Sequence, residues 1–258
     1  MSGSIGKRAR ATLALSIVIA GVGAGRAEAA ESSRVLVFSK TTAFRHGSIP
    51  TGIATIEQLG RRHGFRVERT ENAARFTKRG LARYDALIFL STTGDPLGRT
   101  SQKRALRRYV ERGGGFFGIH AASDSTPGWR WYDGLVGARF RSHAAGAPPA
   151  VVRVARRRPA ATRGLPAIWR RADEWYAFHT NPRERVRVLA TVDERSYTPG
   201  DSSMGADHPI AWCQRYRGGR SVYTAMGHTS ESYAEPLFRA HLLGSIRMAM
   251  GRARFDCP

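Results

Sequence analysis

From Val35 onward, short apolar runs alternate with longer stretches in which apolar residues recur every three or four positions. Val35-Leu36-Val37-Phe38 and Ala86-Leu87-Ile88-Phe89-Leu90 are unbroken and β-prone, and Phe116-Phe117-Gly118-Ile119 follows the glycine run Gly113-Gly114-Gly115. Unbroken runs of this length fit strands buried on both faces, as in a parallel sheet covered by helices. Between them, Pro50 suits a first helical turn, Ile53, Ile56 and Leu59 share one helical face, and Gly64 offers a stop. Phe65-Arg66-Val67 reads as a second strand. A basic helix runs from about Ser101 to Arg112, with Leu106, Tyr109 and Val110 turned inward.

The second half is less regular. Val151–Val154, Val186–Val192, Ile210–Cys213 and Ser221–Thr224 read as strands, and a closing helix spans about Glu235 to Met250. Trp129–Tyr132 and Trp169–Phe178 read as aromatic-rich loops. No internal repeat and no linker interrupts this order. The expectation is one α/β domain with a doubly wound, mostly parallel sheet. Right-handed crossovers then gather the loops that follow the strands at one edge.

The first residues do not follow that pattern. Lys7, Arg8 and Arg10 precede the apolar run Ala11–Ala24, and Ala27-Glu28-Ala29 places small residues where a signal peptidase cuts. The run is shorter than the roughly 20 apolar residues that span a bilayer. Met1–Ala29 therefore reads as a signal peptide and Ala30–Pro258 as the exported domain, secreted or periplasmic, with no membrane span.

Composition adds one puzzle, a formal charge of +22 from 42 basic and 20 acidic residues. Nucleic-acid binding is the obvious reading, because clustered cations displace counterions from phosphate. Yet lysine occurs only at positions 7, 40, 78 and 103, the arginines are scattered, and the one tight run, Arg156-Arg157-Arg158, lacks interleaved aromatics. No specific nucleic-acid partner is expected, only loose attraction to anionic envelope polymers. The two cysteines, Cys213 and Cys257, form a candidate disulfide in an oxidising compartment.

The chemistry concentrates in loops. Gly118-Ile119-His120-Ala121-Ala122 ends a buried strand with small residues around one polar side chain, the setting of a strand-to-helix elbow. His46 follows the first strand, Asp95 the third, and His120 and Asp124 the fourth, so all would meet at one crevice. Glu174 adjoins Trp175 and Tyr176, a carboxylate beside aromatic faces of the kind that stack on sugar rings. His208 and His228 lie in polar loops next to Pro or Gly, whereas His63 and His241 fall in helices and read as structural. Neither a His-x-His nor a His-Glu-x-x-His spacing is present, so no metal ligands are assigned. A divalent metal remains possible only as a site assembled from distant loops.

These segments carry a resemblance. Phe44-Arg45-His46 with Ser48-Ile49, Gly113–Ala122, Asp173-Glu174-Trp175-Tyr176, Asp207–Trp212, and Gly227-His228 with Glu231-Ser232-Tyr233 resemble the ThuA-like (trehalose-utilisation) family. The resemblance covers most of Val35–Gly251. It implies a class I glutamine amidotransferase-like, flavodoxin-like fold and a link to sugar utilisation. Class I amidotransferases place a cysteine at the elbow. His120 stands there in this chain, so thiol chemistry is absent.

The implied function is an exported carbohydrate-active protein, a hydrolase or related enzyme acting on a glycoside or modified sugar. Proton transfer would fall to His120, His46, Glu174 and His228 with Asp124 in support. Trp131, Trp175 and Tyr176 would offer stacking faces, and Arg45, Asp95, His208 and Tyr233 further contacts to a sugar or oligosaccharide. The alternative is a carbohydrate-binding module without catalysis, in which His120 merely shapes its turn.

Overall fold

The computed structural model describes residues 1–3, 33–155 and 158–258. Apart from its first three residues, the expected leader lies outside these residues, as do Arg156 and Arg157.

Strand β1 (Arg34–Phe38) is the spine of the sheet, and Val35 to Phe38 are completely shielded from solvent. On one side it pairs in parallel with β2 (Arg66–Thr70), on the other with β3 (Ala86–Leu90). Strand β4 (Gly115–Ile119) continues the parallel run beside β3. Helix α1 (Ile49–His63) crosses from β1 to β2, with Pro50 in its first turn and Gly64 ending it at φ 72°, a conformation glycine adopts without strain. The short helix α2 (Lys78–Leu81) precedes β3, and α3 (Thr100–Glu111) links β3 to β4 while burying Ala105, Leu106 and Val110.

Beyond β4 come α4 (Arg130–Val136), β5 (Phe140–His143), β6 (Pro149–Val154), β7 (Ile168–Ala172), β8 (Tyr176–Phe178), β9 (Arg187–Asp193), β10 (Pro209–Tyr216) and β11 (Gly219–Thr224). Helices α5 (Ser230–Ala234) and α6 (Pro236–Ala249) close the fold. The nine-stranded sheet runs β2-β1-β3-β4-β11-β10-β9-β6-β7. Its first five strands are parallel, with β11 in the fifth place of a flavodoxin-like order, and the last four extend it in antiparallel fashion. This is the doubly wound α/β class the sequence predicts. A separate two-stranded ribbon pairs β5 with β8.

Two readings of the second half change. Trp129–Tyr132 is not loop throughout: α4 begins at Arg130 and buries Tyr132, Leu135 and Val136, which share a helical face. The stretch Trp169–Phe178 holds most of β7 and all of β8. Strand β7 escaped notice because Arg171, a charged residue, takes an inward position beside Trp169. The closing helix, α6, falls where the sequence places it, and Pro236 holds Glu235 extended (ψ 122°), which separates it from the short α5 ahead of it. The structure joins Cys213 of β10 to Cys257, whose Cα atoms lie 5.7 Å apart, so the tail is pinned to β10.

A candidate site of three histidines and one glutamate

The reversal of strand order between β1 and β3 opens a crevice at the carboxyl ends of the parallel strands. Bridges from Thr41 to Thr93 and from Gly94 to Ser125 tie together the loops that follow β1, β3 and β4. His46 sits in the first of these loops, just before α1. His120 follows β4 directly, and its φ of 51° is the left-handed conformation that costs a non-glycine residue about 1–2 kcal/mol. The Tyr223 hydroxyl holds this turn by donating to the His120 carbonyl (2.8 Å). Because Ile119 pairs with Thr224 across β4 and β11, the next residues, His120 and Ala225, are also neighbours. His120 Nδ1–H donates to the Ala225 carbonyl at 2.6 Å.

That hydrogen bond turns Nε2 of His120 into the centre of the site. His46 Nε2 lies 3.1 Å from it, His228 Nδ1 3.2 Å and Glu174 Oε2 3.4 Å. His228 Nδ1 is also 3.2 Å from Glu174 Oε2, and His143 Nδ1 approaches the other oxygen, Oε1, at 3.2 Å. His46, His120 and Glu174 are buried, His228 is partly exposed, and His143 stands at the rim. Burial first, then the neighbouring imidazoles of His120 and His228, pushes the His46 pKa down to about 3, so this ring stays neutral. Burial alone would raise the Glu174 pKa. Hydrogen bonds from His120 and His228 outweigh it and hold the carboxyl well below its usual range. The same Glu174 contact raises the His228 pKa against the effect of burial.

Two further groups hold this arrangement. The Tyr176 ring lies against the His120 imidazole, centroids 4.2 Å apart, and Phe140 packs on Tyr176 in turn. Asp173, fully buried, accepts backbone N–H bonds from Glu174 (2.9 Å), Gly227 (2.8 Å) and His228 (3.0 Å), and a bond from the Ser232 hydroxyl (3.2 Å). Buried Arg171 balances its charge at 2.9 Å. Gly227 completes the turn at φ 113°, where an added Cβ would lie 2.9 Å from the Tyr233 hydroxyl. One carboxylate therefore fixes both the Glu174 and the His228 segments.

Of the residues singled out in the sequence, His46, His120, Glu174 and His228 converge. Others do not. Asp124 has a half-buried carboxyl whose pKa burial raises against the pull of Arg139, and Glu174, not Asp124, contacts the histidines. Trp175 is buried and donates from its indole to the Pro148 carbonyl (2.8 Å), so it presents no face to a sugar. Trp131 stacks on Trp129 and meets Tyr216 at the far end of β10, away from the crevice. Tyr176 and Tyr233 are buried packing residues. His208 is locked between Glu194 and the Tyr176 carbonyl, both at 2.8 Å. Asp95 pairs with Lys103 (2.9 Å) and Arg45 with Glu71 (2.7 Å).

The sequence reading passed over His143, Asp173 and Phe44 as site residues. Phe140 and His143 flank Arg141 and Ser142 in a short ribbon that carries no strand signature. Phe44 is 67% exposed, and its ring lies edge-on to His46 with centroids 4.8 Å apart. An exposed phenylalanine beside a buried polar cluster was visible only once the fold had placed it.

Residues 34–249 match the trehalose-utilisation family, ThuA, and the chain belongs to that family. No curated protein sequence matches it. Two solved structures share its fold over nearly their whole length. A putative ThuA-like protein from Bacteroides uniformis is 23% identical, with a TM-score of 0.71 over 86% of this chain and 94% of that one. Another from Parabacteroides merdae is 17% identical, with a TM-score of 0.72 over 88% and 92%. A cold-adapted β-galactosidase from Rahnella sp. R3 contains a similar region, at 17% identity and a TM-score of 0.56 over 86% of this chain and 31% of that one.

Proposed function

We propose that the crevice is the active site of an exported enzyme that cleaves a glycoside or modified sugar by proton transfer. The observation that carries this is the convergence of Glu174, His46 and His228 on His120 Nε2, at 3.1 to 3.4 Å, beside an exposed aromatic ring. Glu174, held ionised by its histidine neighbours, supplies base capacity, and His228, whose pKa is raised by Glu174, supplies a proton. The Phe44 face is the surface on which a sugar ring would stack. Membership in a trehalose-utilisation family supports a sugar as substrate.

The geometry narrows the mechanism. Glycosidases that use two carboxyl groups keep them roughly 5 Å or more apart, flanking the scissile bond. Here the acid and base groups touch, with His228 Nδ1 3.2 Å from Glu174 Oε2. Such a cluster works on one face of its substrate, deprotonating a hydroxyl or an attacking water and returning the proton through the same network.

The test is a panel of trehalose and other glycosides, with their oxidised derivatives, assayed for product by chromatography. His120→Asn and Glu174→Gln should each lower turnover by roughly 10²–10⁴-fold, while Phe44→Ala should act mainly on KM. Saturable sugar binding with no product from any member of the panel would replace the enzyme reading by a binding module.

A further inference from the structure

We infer that His46, His120, His228 and Glu174 form a binding site for one divalent transition-metal ion, with zinc the best match. Four ligand atoms, His46 Nε2, His120 Nε2, His228 Nδ1 and Glu174 Oε2, all lie within 4.8 Å of one another. Four of the six separations are 3.1, 3.2, 3.4 and 3.2 Å. A tetrahedral ion with bonds of about 2.0–2.1 Å keeps its ligands about 3.3–3.4 Å apart. Three imidazole nitrogens and one carboxylate oxygen form a donor set that suits zinc and its first-row neighbours and disfavours the all-oxygen ions calcium and magnesium.

Protons alone do not account for the cluster. His46 Nε2–H can donate to His120 Nε2, and His228 Nδ1–H to Glu174 Oε2. That pairing leaves two acceptors, His120 Nε2 and Glu174 Oε2, facing each other at 3.4 Å. Protonating His120 Nε2 instead gives Glu174 a second donor, but that one N–H must then also serve His46 Nε2 at 3.1 Å, because Nδ1–H is already committed to Ala225. A cation at the common centre satisfies all four lone pairs at once. The surroundings fit as well. The Nδ1–H bond to a backbone carbonyl fixes the His120 ring as metal-bound histidines are fixed, and Asp173 anchors the backbone of both Glu174 and His228. Partly exposed His228 leaves a way in from solvent.

A bound ion would take up the Glu174 and His228 lone pairs that the proton-transfer reading uses, so occupancy is read with no sugar present and without turnover, and its failure leaves that reading standing. The full chain is stripped with chelator, dialysed against Zn²⁺ or Co²⁺, and analysed for metal by mass spectrometry. One equivalent of zinc per chain is expected, with a melting temperature several degrees higher in excess zinc and a visible Co²⁺ spectrum of tetrahedral type. His46→Gln/His228→Gln should lose the bound equivalent and the Co²⁺ bands, while chelator-treated variant and wild type share the same circular dichroism. If the double variant does not fold, the wild-type titration decides alone. Absence of a stoichiometric zinc or cobalt equivalent in folded wild type overturns the inference, as does an equivalent fully retained by the folded double variant.

Discussion

Asp173→Asn is the sharpest single test of how the site is held. The carboxylate accepts on both oxygens. Oδ1 takes the N–H groups of Glu174 and His228, and Oδ2 takes Gly227 N–H, the Ser232 hydroxyl and the Arg171 guanidinium. Asparagine can keep one oxygen facing the first pair. Its amide nitrogen then meets Gly227 N–H and Arg171 donor against donor. Arg171 loses its closest counter-charge and keeps Glu235, 3.0 Å away. Breaking a buried ion pair on one side costs about 3–5 kcal/mol, and for a domain of this size each kcal/mol moves the melting temperature by about 2–4 °C. The expected fall is therefore roughly 6–20 °C. Differential scanning calorimetry in chelator reads it without interference from any bound ion. A second variant, Arg171→Met/Asp173→Leu, removes both charges and should recover part of the loss, because no unpaired ion remains. A melting temperature for Asp173→Asn within about 2 °C of wild type would show that Asp173 does not anchor these loops.

Four other outcomes follow from the same coordinates. Burial lowers the His241 pKa from 6.5 to about 4 while its Nδ1–H donates to Ala161. The folded protein thus refuses a proton that the unfolded chain accepts, so this contribution to stability is complete above pH 6.5 and is lost as pH falls toward 4. Chemical denaturation of His241→Gln between pH 7 and 4 should show a pH dependence shallower by up to about 3 kcal/mol; parallel curves for variant and wild type would refute the assignment. Opening the Cys213–Cys257 bridge, which closes a 44-residue separation, should cost up to about 4 kcal/mol, read as a lower denaturation midpoint for Cys257→Ser in oxidising buffer. Phe44→Ala should weaken sugar binding by about 2- to 10-fold, as expected of one exposed aromatic face, with an unchanged melting temperature. Intact mass of material recovered from the medium or periplasm should begin at Ala30, and exported protein retaining Met1–Ala29 would remove the leader.

Much of this protein is legible in local pattern. Unbroken apolar runs such as Ala86–Leu90 determine buried strands because no other short element hides every side chain. The glycine-flanked end of β4 marks His120 because a sharp turn after a buried strand needs small neighbours. Position after a strand was enough to place His46 and His120 at one edge of the sheet. Contacts across the fold were not legible. Tryptophan in a motif reads the same whether its indole meets a sugar or, as at Trp175, the Pro148 carbonyl. Arg171 and Asp173 look like solvated charges until β7 turns one inward and the loop after β11 closes over the other. Period and propensity act over a few residues, and they determined the elements and the edge where chemistry collects. The sequence separations of 74 from His46 to His120 and 108 from His120 to His228 are bridged only by the order of the strands. Tertiary structure alone therefore decided that four separate loops bring their lone pairs to one point.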